Sequence, residues 1–440
     1  MLGNAAAALR RRLGFGDFAR RVSIVAGGAA VGQLVLLLVS PVLTRLYSAD
    51  DFGALGVYVS LLSMVAVVVS LRYELAIPMA EDQASASAVL VLALGLTGVT
   101  ATLVAIGVAL AGTSLAQVLN TPAIAPYLYL LPLGLLGFGI YQALNYRAIR
   151  DKAFTSIART KLNQSLGQSG TQAGLGLLWA GPAGLLVGHF LGQVLGTGTL
   201  IRAARRKHGY VIGAVRAEAV RRVAVRYRRF PLFSSFSGFL NTAGLQAPVL
   251  MIAGTYGAEA AGWYALANRV VGAPLGLVGN AVAQVYLSEA PALAREDPGR
   301  LRVLFRGSAL RLALIGGVAV LVVVIGGAGL FGSVFGAGWE RAGTFAQLLG
   351  PMFLAQFVAG PLSQTLNVLE RQDLQLAWDG GRLLLVVGTL WLGASAGWSV
   401  SWSIAAFSAA MVVSYALLLV LSARALGTRN RGVRQEGISQ

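Results

Sequence analysis

Lysine and arginine are confined almost entirely to one side of a regular series of apolar stretches. This restricts the fold more than any other feature of the 440-residue chain. A helix needs about 20 apolar residues to cross hydrocarbon. Twelve such stretches can be drawn, at 22–43, 52–71, 85–111, 124–146, 161–180, 182–201, 231–254, 260–286, 309–332, 343–368, 376–396 and 398–422. With the N-terminus in the cytoplasm, 32 of the 35 Lys and Arg residues fall in the tails and connections on that side, counting Lys161, Arg311 and Arg382, near the inner ends of their spans, with the connections. Arg45 and Arg341 fall outside, and Arg269 falls within a span. Asymmetry of this kind orients membrane helices. It predicts an all-α, multi-pass membrane protein of about 12 transmembrane helices with both termini cytoplasmic.

Composition agrees. Only 12% of residues are charged, against about 25% in a soluble domain. The net charge of +18 does not point to nucleic acid, because the basic residues follow the topology and form no single patch. Anionic membrane lipids of the cytoplasmic leaflet are the expected partners of this charge. With no cysteine, disulfides and thiolate metal sites are excluded. The sequence holds no nucleophile–base arrangement, no metal-ligand cluster and no phosphate-cradling loop, so neither an enzyme nor a cofactor is expected. His189, alone within the sixth span, is expected to hydrogen-bond between helices.

The longest polar stretch, 202–230, divides the chain into two groups of six spans. The expected organisation is a cytoplasmic interfacial segment 1–21, an N-terminal six-helix bundle 22–201, a basic amphipathic linker 202–230, a C-terminal six-helix bundle 231–422 and a cytoplasmic tail 423–440. The linker, from Ala214 to Phe230, is expected to lie on the inner membrane face. Tyr47-Ser48-Ala49-Asp50-Asp51-Phe52-Gly53 shares the pattern Tyr-x-Ala-acid-x-x-Gly with Tyr256-Gly257-Ala258-Glu259-Ala260-Ala261-Gly262. The same offset carries span 1 onto span 7. Parallel repeats of this kind hold substrate between the halves, near the midplane. Gly188, Gly192 and Gly196 on span 6, and Gly167, Gly170 and Gly174 on span 5, read as helix-packing positions.

Polar residues recur at helical spacing inside the apolar spans. Arg269, Gly276, Asn280 and Gln284 form one stripe on span 8, with Asn268 beside it. Ser234, Ser237 and Asn241 share a face of span 7; Gln356, Gly360, Ser363 and Asn367 share one of span 10; Gln33, Ser40 and Thr44 share one of span 1. Together they predict a polar cavity. Arg269 is the sharpest candidate: a charge inside a membrane helix costs roughly 2.5 kcal/mol or more, and guanidinium can grip phosphate bidentately. Arg45, at the end of span 1, is a second candidate ligand. Arg72 and Glu74, at the end of span 2, are candidates for gating or substrate admission.

Thr44-Arg45-Leu46-Tyr47, Asp51-Phe52-Gly53 and Arg72-Tyr73-Glu74-Leu75-Ala76-Ile77-Pro78 resemble the start of the polysaccharide-biosynthesis membrane proteins, the Wzx-type O-antigen and exopolysaccharide flippases. Phe230-Pro231, the run Gly262-Trp263-Tyr264-Ala265-Leu266-Ala267-Asn268-Arg269 and Pro274 continue the resemblance over about residues 20–425. It implies the fold of the multidrug/oligosaccharidyl-lipid/polysaccharide exporter (MOP) superfamily, MATE-like, with two pseudo-symmetric six-helix bundles working by alternating access. It implies transport of undecaprenyl-diphosphate-oligosaccharide from the inner to the outer leaflet of a bacterial cytoplasmic (inner) membrane, for O-antigen, capsule or exopolysaccharide synthesis. It also implies polysaccharide polymerase and chain-length proteins as partners. Arg269 matches the family's characteristic span-8 arginine, whereas span 1 carries no arginine in its middle. Two alternatives are a multidrug exporter of the same superfamily and a membrane polysaccharide polymerase or ligase. Against the first, the reading places no deep Asp or Glu in the spans. Against the second, no outer connection exceeds about a dozen residues.

Overall fold

In the computed structural model, which describes residues 15–208 and 215–436, every regular element is a helix. The segment 1–14, most of the expected interfacial region, lies outside the described residues, as do 209–214 of the linker and 437–440 of the tail. Among the described residues, ten helical stretches combine the length and apolar composition needed to cross a membrane. The expected fifth and eleventh spans are also helices, Phe154–Gly176 and Gln372–Ser395, but they are more polar than the other ten. Leu38, Leu110, Ile325 and Leu384 are exposed, the reverse of a soluble domain. The protein is an all-α, multi-pass membrane protein.

The polar fifth helix is explained by its partner. Gly188, Gly192 and Gly196 bring the helix Ala183–Leu195 and the turn after it against Phe154–Gly176. A Cβ at Gly192 would stand 3.0 Å from the Cα of Gln168. At this distance the amides can bond across the seam: Gln164 Nε2 donates to Gln193 O at 3.1 Å, and Gln172 Nε2 donates to Leu185 O at 3.0 Å. Small residues and interhelical amides are what holds helices together where water supplies no driving force. On Phe154–Gly176 itself, Gly167 meets Leu195, but Gly170 and Gly174 have nothing within 4 Å of a would-be Cβ, so the packing role expected of those two does not hold. His189 bonds Gln193, on its own helix, at 3.2 Å.

The described chain resolves into two units. The first takes residues up to Val39, Val65–Leu110 and Tyr127–Phe236. Its cores gather Tyr73, Ile77, Val89, Ala143 and Val223 in one cluster, and Tyr141, Leu144, Ile157 and Leu200 in another. The linker helix Ala217–Arg226 belongs here. Its apolar side, with Val223 buried, packs on protein, and Tyr73 donates its hydroxyl to Ala224 O at 3.0 Å. The segment Tyr73–Ala76 covers that side of the helix.

The second unit takes Ser40–Met64, Ala111–Pro126 and Ser237 onward. Here the two repeat motifs meet. A Cβ on Gly53 would collide with the carbonyl oxygen of Ala258, its carbon 2.6 Å away; a Cβ on Gly262 would collide with the carbonyl of Ala49, its carbon 2.7 Å away. Gly53 and Gly262 are equivalent in the repeat, and so are Ala49 and Ala258. The helices Ala49–Ala66 and Ala258–Ala267 thus cross in a reciprocal contact. Trp339 braces it, edge-on to Phe52 at 5.0 Å between ring centroids, with Nε1 donating to Thr44 O at 3.0 Å.

Candidate binding site

The span containing Arg269 is interrupted where the arginine stands. The helix Ala258–Ala267 passes through a π-helical turn, Asn268–Gly272, into Ala273–Glu296. Pro274 explains the position. Proline lacks an N–H and its ring crowds the carbonyl four residues back, here Val270. Widening the preceding turn relieves that crowding, and Ala273 N–H reaches back to Asn268 O. Single π turns inside helices are frequent at functional sites. Gly272 supplies the room: a Cβ there would run into Asn268 Oδ1 and lie 2.9 Å from the Phe353 ring. Arg269 is half-buried and Asn268 exposed.

Beyond the turn, Ala273–Glu296 turns one face to the protein. Gly279 meets Pro361 and Phe357, and Tyr286 shares a 2.8 Å hydrogen bond with Thr365 Oγ1. Gly276, Asn280 and Gln284 are exposed. On span 10, Glu340–Leu362 is separated from Gln364–Val368 by a break at Ser363, whose hydroxyl donates to Gly360 O. Gln356 lies before the break and is half-buried; Asn367 lies after it, exposed, donating to Gln364 Oε1 at 2.9 Å. Ser40 and Thr44 are buried, and Gln33 is half-buried. Gln33 belongs to the first unit, whereas Arg45, Asn241, Arg269, Gln356 and Asn367 belong to the second. Arg45 is exposed, with Nη1 donating to Pro41 O at 2.6 Å.

Asn241 is bound by a residue the spacing argument misplaced. Arg382, assigned above to a cytoplasmic connection, lies ten positions into Gln372–Ser395 and is buried. Its Nη2 donates to Asn241 O at 3.1 Å and Oδ1 at 2.9 Å, and approaches Asp379 Oδ1 at 3.3 Å. Its guanidinium lies 4.8 Å over the Trp378 ring, and Gln375 Nε2 donates to Asp379 Oδ2 at 3.3 Å. Asp379 is buried as well, which corrects the reading that the spans hold no deep acid. The signal was present: Gln375, Trp378, Asp379 and Arg382 fall on one helical face, visible once the helix is begun at Gln372.

Arg72 and Glu74 lie in the connection after Ala49–Ala66. Leu71 and Arg72 both take left-handed backbone, φ 50° and 64°, at a cost of about 1–3 kcal/mol each. The reversal drives Glu74 into the first unit, where it is buried and accepts a hydrogen bond from Ser70 Oγ. Burial raises its carboxyl above the ordinary value of 4.5, against the lowering effects of the Ser70 bond and nearby Arg72. Arg72 Nε is buried without a hydrogen-bond partner. Arg150 fastens the following residues, donating to the carbonyls of Ile77, Pro78, Ala80 and Asp82 at 3.2, 3.4, 2.6 and 3.1 Å.

Residues 42–343 match the family described as polysaccharide biosynthesis protein. Among solved structures, the chain is similar to an inward-facing multidrug resistance MATE family transporter of the MOP superfamily: TM-score 0.73, 14% identity, covering 91% of this chain and 96% of that one. It is also similar to a MOP superfamily transporter from Pyrococcus furiosus described by the reverse polarity of its binding pocket: TM-score 0.59, 15% identity, covering 94% and 95%. A eukaryotic MATE transporter aligns with TM-score 0.50 and 14% identity over 96% and 100%. These likenesses establish the MATE/MOP fold. Among curated proteins, none matches.

Proposed function

The chain belongs to the polysaccharide biosynthesis protein family, and from that premise we propose that it flips undecaprenyl-diphosphate-linked oligosaccharide from the cytoplasmic to the outer leaflet by alternating access. The product would feed O-antigen, capsule or exopolysaccharide synthesis at the bacterial inner membrane, alongside a polymerase and chain-length proteins. The observation that carries the reading is Arg269, set in a π turn eleven residues inside a membrane stretch of 39. A cation at that depth suits a diphosphate, which is both anionic and a multiple acceptor. Asn268, Asn280, Gln284 and Asn241, with Gln33, Gln356 and Asn367, supply donors and acceptors for sugar hydroxyls. Arg45 would meet the diphosphate near a membrane surface, and Arg72 with Glu74 would govern admission at the opposite end of span 2. The polyprenyl chain stays in lipid. No bond is made or broken, so the activity is transport and not catalysis.

The test is replacement of Arg269 by Gln and by Lys in cells. Arg269→Gln should abolish surface polymer and accumulate lipid-linked precursor at normal protein level, and Arg269→Lys should retain part of the activity. Normal surface polymer in Arg269→Gln would remove the assigned role. The buried Asp379 favours a second reading, export of cationic compounds. Its pairing with Arg382 neutralises it and argues for the first. Resistance to cationic dyes on overproduction, lost in Asp379→Asn, would reverse that order.

A further inference from the structure

The linker helix has two faces, and the function proposed above uses neither. The covered face is fixed to protein by Val223, by the Tyr73–Ala224 bond and by the ion pair of Arg226 with Glu81. Glu218 pairs with Arg222 at 3.3 Å. Arg216, Arg221, Arg228 and Arg229 remain, all exposed. Opposite Val223, at about 100° per residue, stand Arg221 and Val225, flanked by Arg222, and Arg228 and Arg229 follow just past the helix end. Val225 is 58% exposed. Arg228 and Arg229 immediately precede the membrane stretch Phe230–Tyr256. Leu232, Phe233 and Phe236, at its start, are 64%, 70% and 59% exposed. Arginine next to exposed aromatic residues at the end of a membrane stretch lies at headgroup depth, where phosphate is the abundant acceptor.

We propose that Arg221 on the exposed face of the linker helix, with Arg228 and Arg229 just beyond its end, binds the phosphate headgroups of anionic phospholipids. The apolar face is spent on the protein, so binding rests on charge and not on insertion. It therefore requires lipid charge and weakens with salt, unlike that of an amphipathic helix sunk in the interface.

The experiment titrates the purified full chain in neutral detergent with phosphatidylglycerol or phosphatidylcholine and counts bound lipid by native mass spectrometry. Phosphatidylglycerol should bind at least tenfold more tightly, and its affinity should fall severalfold between about 0.05 and 0.5 M salt, within the range where the screening length shrinks from over 10 Å to a few Å. The substitutions Arg221→Gln, Arg228→Gln and Arg229→Gln together should lower its affinity tenfold or more, at unchanged thermal stability. Equal affinity for the two lipids, or indifference to salt, overturns the proposal; neither measurement needs a variant. An equal loss from Arg300→Gln with Arg306→Gln, in a different basic connection, overturns it by showing diffuse attraction. Displacement of phosphatidylglycerol by equimolar inorganic diphosphate or by polyglutamate assigns the face to a soluble phosphate or an acidic protein, and overturns it also.

Discussion

Adding one methyl group at Gly53 should separate two helices that touch through their backbones. The Cβ of Gly53→Ala would overlap the Ala258 carbonyl oxygen and sit 2.6 Å from its carbon and 3.0 Å from its Cα. Carbon atoms prefer about 3.5–4.0 Å, so Ala49–Ala66 and Ala258–Ala267 must part by roughly 1 Å. Overpacking of this kind costs about 1–3 kcal/mol, occasionally more. Helix propensity works the other way, favouring alanine by up to about 1 kcal/mol. The clash wins because its obstacle is backbone, which has no rotamer to change. At about 2–4 °C per kcal/mol for a unit of 150–250 residues, the net loss should lower Tm by about 2–8 °C in detergent, followed by tryptophan fluorescence. Gly262→Ala should do the same against Ala49. Once the first substitution has opened the crossing the second has room, so the double variant should lose less than the summed singles. Gly107→Ala, with nothing within 4 Å of its Cβ, should leave Tm unchanged or raise it. A Gly53→Ala protein as stable as Gly107→Ala, or singles that add fully, would refute the reciprocal contact.

The buried Asp379–Arg382 pair should be costly to halve: Asp379→Asn should destabilise by about 3–5 kcal/mol, and adding Arg382→Gln should restore part of that. Full additivity in thermal melts would show that the pair is not coupled. Burial holds Glu74 above its ordinary 4.5, so the folded connection prefers the neutral acid. Its contribution is fully present below 4.5 and is lost as pH rises through the raised folded value. Hydrogen exchange of Ala217–Arg226, corrected for intrinsic rate, should therefore show looser docking at high pH, and Glu74→Gln should abolish the dependence. A dependence that survives in Glu74→Gln locates the titration elsewhere. Trp339→Phe keeps a ring beside Phe52 but leaves Thr44 O without its donor, which should cost about 1–3 kcal/mol; an unchanged melt would mean that water replaces the indole.

The helices were legible because membrane length and charge asymmetry are coarse, repeated signals. The repeat was legible too, and its two short motifs prove to be partners in one crossing. That follows from their composition: a pseudo-twofold contact puts equivalent residues on both sides, and only glycine lets backbones meet. What hydropathy alone misjudged were the helices whose polar groups find partners inside the protein. Gln164 and Gln172 face a glycine seam, and Arg382 and Asp379 face each other and Asn241. A residue-by-residue scale counts each as a cost and cannot see the partner. What packs on the linker was not legible for a related reason. Amphipathic spacing says that one side is covered, but not whether lipid or protein covers it.

The same reasoning separates the buried Arg382 from the half-buried Arg269. Arg382 is held by a carboxylate, an amide side chain, a backbone carbonyl and an indole face. These contacts hold the guanidinium through Nη2 and the ring below it, while its Nε is buried without a hydrogen-bond partner. Arg269 instead sits on a turn whose hydrogen-bond register is already shifted to i→i−5, between a glycine that admits the Asn268 amide and a proline that cannot close the helix. A side chain on such a turn can swing with a small backbone change, because the i→i−4 ladder that would resist the swing has already been given up. A transported headgroup must be released as well as held. Under the function proposed above, Arg269 on its shifted turn would be the cation that binds and releases the headgroup, and Arg382 would belong to the frame around it.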